Sequence, residues 1–246
     1  MSRGNPAELR IGVLASGRGS NLQAIIDAID SKQVTARLAV VISNKQDAPA
    51  LERARRHGAI DLFLDPKPFV GRPDGREAYD RAVLEVLIKH DVQLVLLAGY
   101  MKIVTAVLID AYRNRIMNIH PALLPAFPGL DVQKKALESG VKIAGCTVHF
   151  VTEGVDEGPI IIQAAVPVLD ADTPETLSAR ILEQEHRIYP RAVQLYAEGR
   201  LTVDGRQVHI ASPLGPEQAT LINPSLSPSP SPSVLPSRPP SHTGRH

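Results

Sequence analysis

Three short segments hold residue types that can do anion or proton chemistry. The first is Ser16-Gly17-Arg18-Gly19-Ser20-Asn21. Its glycines let backbone approach a ligand closely. The N–H groups that open a following helix at Ser20 and Asn21 have no intrahelical partner, so they suit an anion. A tight turn with Ser20 as helix N-cap is the plain structural alternative. The loop is no dinucleotide fingerprint, because Leu22 stands where a third glycine belongs and Ile42 leads into Ser-Asn-Lys instead of an acidic residue. It is no Walker A loop either, since no Gly-Lys-Ser/Thr follows. A single phosphate monoester fits it best.

The second segment is Asn118-Ile119-His120-Pro121, leading into Leu123-Leu124-Pro125-Ala126-Phe127-Pro128-Gly129. Strand alternation puts Asn118 and His120 on one side. A strand end in an α/β sheet points into the ligand crevice. Pro121, Pro125 and Pro128 keep the stretch beyond it irregular. A satisfied strand-end histidine before a rigid loop is an equally ordinary reading, and these residues alone leave the two balanced. The third segment is Thr152–Pro159, with Asp156 at a turn. A turn aspartate is usually only an Asx-turn former, and sequence alone does not place it near His120.

The remaining candidates are weaker. His57 and His90 fall at helix C-termini, where a positive charge suits the dipole. His149 lies in an apolar strand and reads as a satisfied core or near-site residue. Arg53, Arg55 and Arg56 read as a solvated helix face. No histidine pairs at a metal-ligand spacing, and no metal site is expected. Cys146 has no base beside it, and no Gly-x-Ser-x-Gly elbow is present.

These segments need elements to hold them. Leu9–Ala15, Ala36–Ile42, Ile60–Leu64, Val92–Ala98 and Ile116–Ile119 read as strands. Asn21–Asp30, Ala48–His57, Asp74–His90 and Ile103–Tyr112 read as helices. Strand–helix alternation with near-continuous apolar strands predicts an α/β, doubly wound, mostly parallel sheet. Ala144–Val151 and Pro159–Val168 read as antiparallel strands added to it. Thr173-Pro174 is an N-cap and N1 pair opening a helix over Glu175–Glu198. A last hairpin, Arg200–Ile210, is expected to turn at Asp204-Gly205. Residues 8–211 are thus expected to form one domain, and the Pro/Ser-rich stretch 212–246 a disordered tail.

Composition narrows the classes. The chain has 246 residues, with 27 Lys+Arg against 26 Asp+Glu and a net charge of +1. That balance argues against a nucleic-acid or membrane-surface binder, which needs a basic excess. Aromatic residues make up 4% and Trp is absent, too few for a base-stacking platform. No apolar run reaches the ~18 residues of a membrane span. A single cysteine excludes an intramolecular disulfide framework, so a reducing cytoplasm is expected. Met1–Leu9 does not read as a signal peptide.

In order and spacing, the candidate segments resemble the folate-dependent phosphoribosylglycinamide formyltransferases. The likeness runs from about residue 10 to 210. It is carried by LASGRGSNLQAIIDA (14–28), VISNKQDAPALERARRHG (41–58), GREAYDR (75–81), LLAGYMKIV (96–104), MNIHPALLPAFPGL (117–130), GCTVHFVTEGVDEGPII (145–161) and EQEHRIYPRAV (183–193). The resemblance implies a Rossmann-like formyltransferase fold and transfer of a formyl group from 10-formyltetrahydrofolate, as co-substrate, to the amine of glycinamide ribonucleotide. It implies Asn118, His120 and Asp156 as the catalytic trio. Gly19, Ser20, Asn21 and Glu185 correspond to ribonucleotide-binding positions. Arg76, Met101, Lys102, Ile103, Val104, Asn118, Thr152 and Asp156 correspond to folate-binding positions. Lys102 replaces an arginine of some members. Asp131 and Gln133 replace histidines and are placed on a mobile lid. Small-molecule substrates are the only partners implied.

Two rival readings remain open here. A formyltetrahydrofolate hydrolase shares the Asn-x-His and Asp pattern, but is expected to carry an N-terminal regulatory domain and no phosphate loop. A non-catalytic phosphosugar-binding α/β module shares the fold, but has no need of an acid at the pocket floor.

Overall fold

Strands whose successive residues are all buried need cover on both faces, and the sheet is built around that demand. The computed structural model describes residues 8–211. In it β1 (Leu9–Ala15), β2 (Ala36–Ser43), β3 (Ile60–Phe63), β4 (Leu94–Leu97) and β5 (Ile116–His120) pair in parallel. β6 (Ile143–Phe150) and β7 (Ile160–Pro167) join antiparallel at one edge. The seven strands run in the order β3-β2-β1-β4-β5-β6-β7. The order reverses between β1 and β4, so their C-terminal ends open the crevice that receives ligands in such sheets.

Helices cover both faces. Ile11, Val13, Leu94 and Leu96 pack with Leu22 and Ile25 of α1 (Ser20–Asp30), Leu51 of α2 (Pro49–His57), and Leu177, Ile181 and Tyr189 of α6 (Pro174–Ala197). The alternate residues Leu14, Ile42, Val95 and Leu97 pack with Tyr79, Val83 and Leu87 of α3 (Gly75–Lys89) and Leu108 of α4 (Ala106–Ala111). The doubly wound expectation therefore holds.

β5 and β6 break the symmetry. Their α6-facing positions are apolar: Met117, Ile119, Cys146, Val148 and Phe150. The positions between them are Asn118, His120, Thr147 and His149, and cross-strand pairing sets Asn118 against His149 and His120 against Thr147. A polar row of this kind lies on the face that α3 and α4 cover elsewhere. Here two loops, 121–131 and 151–159, supply the groups that meet it.

The predicted opening of α6 is found. Thr173 Oγ1 accepts from Thr176 N–H, Thr176 Oγ1 accepts from Thr173 N–H, and Pro174 takes the first helical position. Some boundaries differ. The helix expected over Ile103–Tyr112 shrinks to α4, because Asp80 accepts from both the N–H and the hydroxyl of Thr105 and ties the preceding stretch down as a loop. The expected lid position Gln133 lies in a helix, α5 (Val132–Glu138), whose Val132 and Ala136 are buried. Asp131 is its N-cap, in a left-handed conformation. The final hairpin, β8 (Leu201–Asp204) and β9 (Gln207–Ile210), forms a sheet of its own. Asp204 pairs with Gln207, so the turn is Gly205-Arg206 and not Asp204-Gly205. The expected tail, 212–246, lies outside the described residues, and no helix among those described is long and apolar enough to cross a membrane.

Candidate active site

The loop after β1 has a fixed backbone, a cradle of a shape that suits an anion. Gly19, not Ser20, is the N-cap of α1; it takes φ 70° and ψ 33°, and no side chain caps the helix. A Cβ on Gly19 would meet Ala50 Cα at 2.9 Å, so the position needs glycine for conformation and for space. Ser20 is the first helical residue, and the opening N–H groups stay free for an anion. Arg53 leaves the solvated face expected for it. Its Nε donates to the Arg18 carbonyl at 2.9 Å and its Nη1 to Gln23 Oε1 at 2.8 Å, bracing the cradle from α2. Ser16 ties the cradle to the loop after β4: its Oγ accepts from Met101 N–H at 2.8 Å, and its N–H donates to the Gly99 carbonyl at 3.1 Å.

Asn118, His120 and Asp156 converge. Asp156 Oδ2 lies 3.4 Å from His120 Nδ1, and Asp156 Oδ1 accepts from Asn118 Nδ2 at 3.5 Å. His120 is 5% exposed, which puts the pair largely out of water. Asp156 has a φ of 57°, a left-handed conformation that aspartate tolerates better than most residues. Its Oδ2 also accepts from Gly129 N–H at 2.9 Å. The other ring nitrogen of His120, Nε2, lies 2.9 Å from the Phe127 carbonyl. Both ring nitrogens thus face acceptors, an arrangement that protons on both satisfy.

His149 belongs to the same cluster, the near-site one of the two readings its sequence position left open. Its Nδ1 lies 2.9 Å from the Phe150 carbonyl, which only accepts, so Nδ1 carries the proton. Nε2 is then an acceptor, and Asn118 Nδ2 lies 3.2 Å from it. Burial pushes the His149 pKa down, in keeping with a neutral ring. The detectable signal was its place two residues after Thr147 in a strand whose other positions are apolar.

The other predicted residues take varied places. Asn21 Nδ2 donates to Glu185 Oε2 at 2.7 Å, so this side chain holds the glutamate instead of an anion. Asn21 Oδ1 is buried without a partner in the described residues. Burial raises the Glu185 pKa, and the Asn21 hydrogen bond opposes that rise. Met101 and Ile103 expose 64% and 58% of their surface beside the crevice, room for a flat apolar ligand; Val104 is buried. Lys102 Nζ sits 4.7 Å from the Tyr79 ring centroid, a cation–π contact that turns the side chain to α3. Arg76 is exposed on the first turn of α3. Thr152 lines a cavity with Ile109, Arg113 and Asn114, away from the three convergent side chains.

A cleft of about 1490 Å³ runs between α1, α6 and the edge of β7; it reaches Ser20, Arg53 and Gln163 but none of Asn118, His120 or Asp156. We place the chemistry at the buried charged cluster, because volume alone moves no proton. Among the described residues no group of three His, Cys, Asp or Glu side chains is arranged to hold a metal ion.

Comparison with known proteins gives the family. Residues 9–193 match the formyl transferase family model. The chain is 45% identical over 193 residues to the phosphoribosylglycinamide formyltransferase of Escherichia coli K12, covering 78% of this chain and 89% of that protein. It is 50% identical to a trifunctional purine biosynthetic protein of Drosophila pseudoobscura pseudoobscura, covering 78% of this chain but spanning only 14% of that protein's length. The crystal structure of glycinamide ribonucleotide transformylase 1 from Symbiobacterium toebii is 56% identical, with a TM-score of 0.81, and the match covers 85% of this chain and 99% of that one.

Proposed function

Because the chain belongs to the formyl transferase family, we infer that it formylates the amine of 5'-phosphoribosylglycinamide in purine biosynthesis, with 10-formyltetrahydrofolate as formyl donor. The glycinamide nitrogen forms a bond to the formyl carbon, the bond from that carbon to N10 breaks, and a proton passes from the amine to N10. The products are phosphoribosyl-N-formylglycinamide and tetrahydrofolate. The observation that carries this reading is the convergence of Asn118, His120 and Asp156 from separate elements on one buried point.

Each group has a task its geometry suits. Negative charge grows on the formyl oxygen as the amine attacks. Asn118 Nδ2 gives one proton to His149 Nε2 at 3.2 Å, and its second has only a long 3.5 Å contact to Asp156, so that second proton can turn to the oxygen. His120 is the proton donor to N10, and Asp156 stabilises the charged imidazole that donates. The cradle at Gly19–Asn21, braced by Arg53, receives the ribonucleotide phosphate, and Glu185 lies where it meets the sugar. Arg76 and the 101–104 loop bound the folate side, and Thr152 begins the loop that carries Asp156 to it. Holding two substrates in register supplies much of the rest of the rate, up to roughly 7–11 kcal/mol in good cases. The catalytic unit is residues 8–211, and its one cysteine, a buried thiol, suits a reducing compartment.

The hydrolase reading has less support, because attack by water has no use for a phosphate cradle. One assay decides between them. Folate release, followed by absorbance, should require the ribonucleotide, and His120→Ala should lower turnover by about 10²- to 10⁴-fold. Release at full rate without the amine, or near-normal turnover by His120→Ala, would overturn the assignment.

A further inference from the structure

We propose that Gln163, on the edge strand β7, is a positioning residue for the catalytic histidine. It acts through Thr147 and the loop 122–127. This inference rests on the reading of His120 as the proton donor.

The residues form one row across three strands. His120 pairs with Thr147 between β5 and β6, and Thr147 pairs with Gln163 between β6 and β7. Directly opposed residues of antiparallel strands project to the same face. The row therefore runs from the exposed sheet edge to the buried imidazole.

Its outer members hold the loop by backbone groups. Thr147 is fully buried; its Oγ donates to the Ala122 carbonyl at 2.7 Å and accepts from Leu124 N–H at 3.1 Å. Gln163 Nε2 has two protons and two acceptors: the Leu124 carbonyl at 2.9 Å and Thr147 Oγ at 3.0 Å. Three residues further on, the Phe127 carbonyl meets His120 Nε2 at 2.9 Å. The loop is thus fastened at Leu124 by the glutamine and returns its own carbonyl to the histidine. The hydroxyl of Thr147 has one proton, already given to Ala122, so the Leu124 carbonyl depends on Gln163 alone for its donor among the described residues.

The side-chain amide is what this account requires, not the bulk of residue 163. Gln163 is exposed, so its replacement leaves the core untouched. Gln163→Glu keeps the shape and removes both protons. Gln163→Met keeps the length without adding charge, which guards against a result caused by the new carboxylate. Both variants should lower kcat by about 10- to 100-fold, the scale of a reacting group displaced by about an ångström. Both KM values should stay within about twofold, because the Gln163 amide gives its two protons to the Leu124 carbonyl and Thr147 Oγ and keeps none for a substrate.

A second readout does not depend on turnover. The His120 ring N–H held by the Phe127 carbonyl should give a slowly exchanging proton resonance in the wild-type protein, identified as the one that His120→Ala removes. That resonance should broaden or vanish in both Gln163 variants, with unfolding temperature little changed. If both variants keep wild-type kcat and the resonance persists, the positioning role is overturned. If His120→Ala itself turns over normally, the histidine's role as acid fails instead, whatever the Gln163 variants do. Loss of kcat in Gln163→Glu alone, with Gln163→Met normal, would assign the effect to charge and also overturn the proposal.

Discussion

His149 decides which way the Asn118 carboxamide points. In the neutral ring, with Nδ1 donating to the Phe150 carbonyl, Nε2 accepts, so the amide presents Nδ2 to it and leaves Oδ1 on the other side. His149→Phe keeps a buried ring and removes the acceptor. Its kcat should fall, by less than the about 100- to 1,000-fold expected for deleting the Asn118 donor itself. Steady-state kinetics of the two single variants check the ranking, and an unchanged kcat in His149→Phe would remove the orienting role. Glu185 makes a different trade. Burial raises its pKa above that of an unfolded glutamate, so the folded protein loses stability as pH rises from below about 4.3 through the folded value. Glu185→Gln keeps an acceptor for Asn21 and carries no charge. Its unfolding temperature should equal or exceed wild type at pH 8, the gap should narrow near pH 4, and the KM for ribonucleotide should rise. At this scale the sequence shows Asn118, His120 and Asp156 as residue types but not as neighbours. His149 stays hidden because a histidine among apolar strand residues looks the same whether it serves the core or a site. Arg53 stays hidden because a run of arginines on a charged helix carries no sign of which one turns toward the loop.

Elements hold these side chains at fixed separations, and two of them carry clear predictions. The junction of β1 with α1 depends on Gly19, whose left-handed φ and 2.9 Å approach to Ala50 leave no room for a side chain. Gly19→Ala should lose about 1–3 kcal/mol of stability, and its KM should rise for the ribonucleotide and not for the folate; chemical denaturation and steady-state kinetics test both halves. The start of α6 depends on Asp172, which accepts from Leu169 N–H, Thr176 Oγ1 and both terminal nitrogens of Arg180. The Arg180 hydrogen bonds hold its carboxyl well below the usual carboxylate range. That stability is present above about pH 3.9 and is lost as pH falls toward the folded value. Asp172→Asn should therefore cost about 2 kcal/mol near pH 7, and denaturant midpoints should draw together with wild type as pH falls below about 3.9 toward the folded value. Periodicity was enough to place most strands and helices, because burial of alternate or successive residues leaves a direct mark on composition. It made α4 too long at both ends and did not place α5. The anchor of α4 is Asp80, distant in sequence, and α5 is a short helix whose packing against the rest of the fold, not its spacing, stabilises it. The close approach of Gly158 to the Phe150 carbonyl, where a Cβ would sit 1.7 Å away, shows why Asp-Glu-Gly-Pro follows the strand: the loop must double back tightly to deliver Asp156.

For the whole molecule, topology does what local sequence does not. The strand order reverses between β1 and β4, which sets the proposed phosphate cradle beside the exposed Met101 and Ile103. The switch to antiparallel pairing at β6 then lets a loop 36 residues beyond His120 in the chain return its carboxylate to the imidazole. In the proposed reading one substrate anchor, one apolar wall and one proton donor meet because the parallel strands β1, β4 and β5 end at the same place. If Asp156 acts through His120, the two cannot contribute independently. The decisive measurement is a double-mutant cycle on kcat with His120→Ala, Asp156→Asn and the pair combined. Action as a unit predicts that the double variant turns over within about threefold of His120→Ala alone. Losses that multiply would show that the carboxylate works without the histidine and would contradict the account.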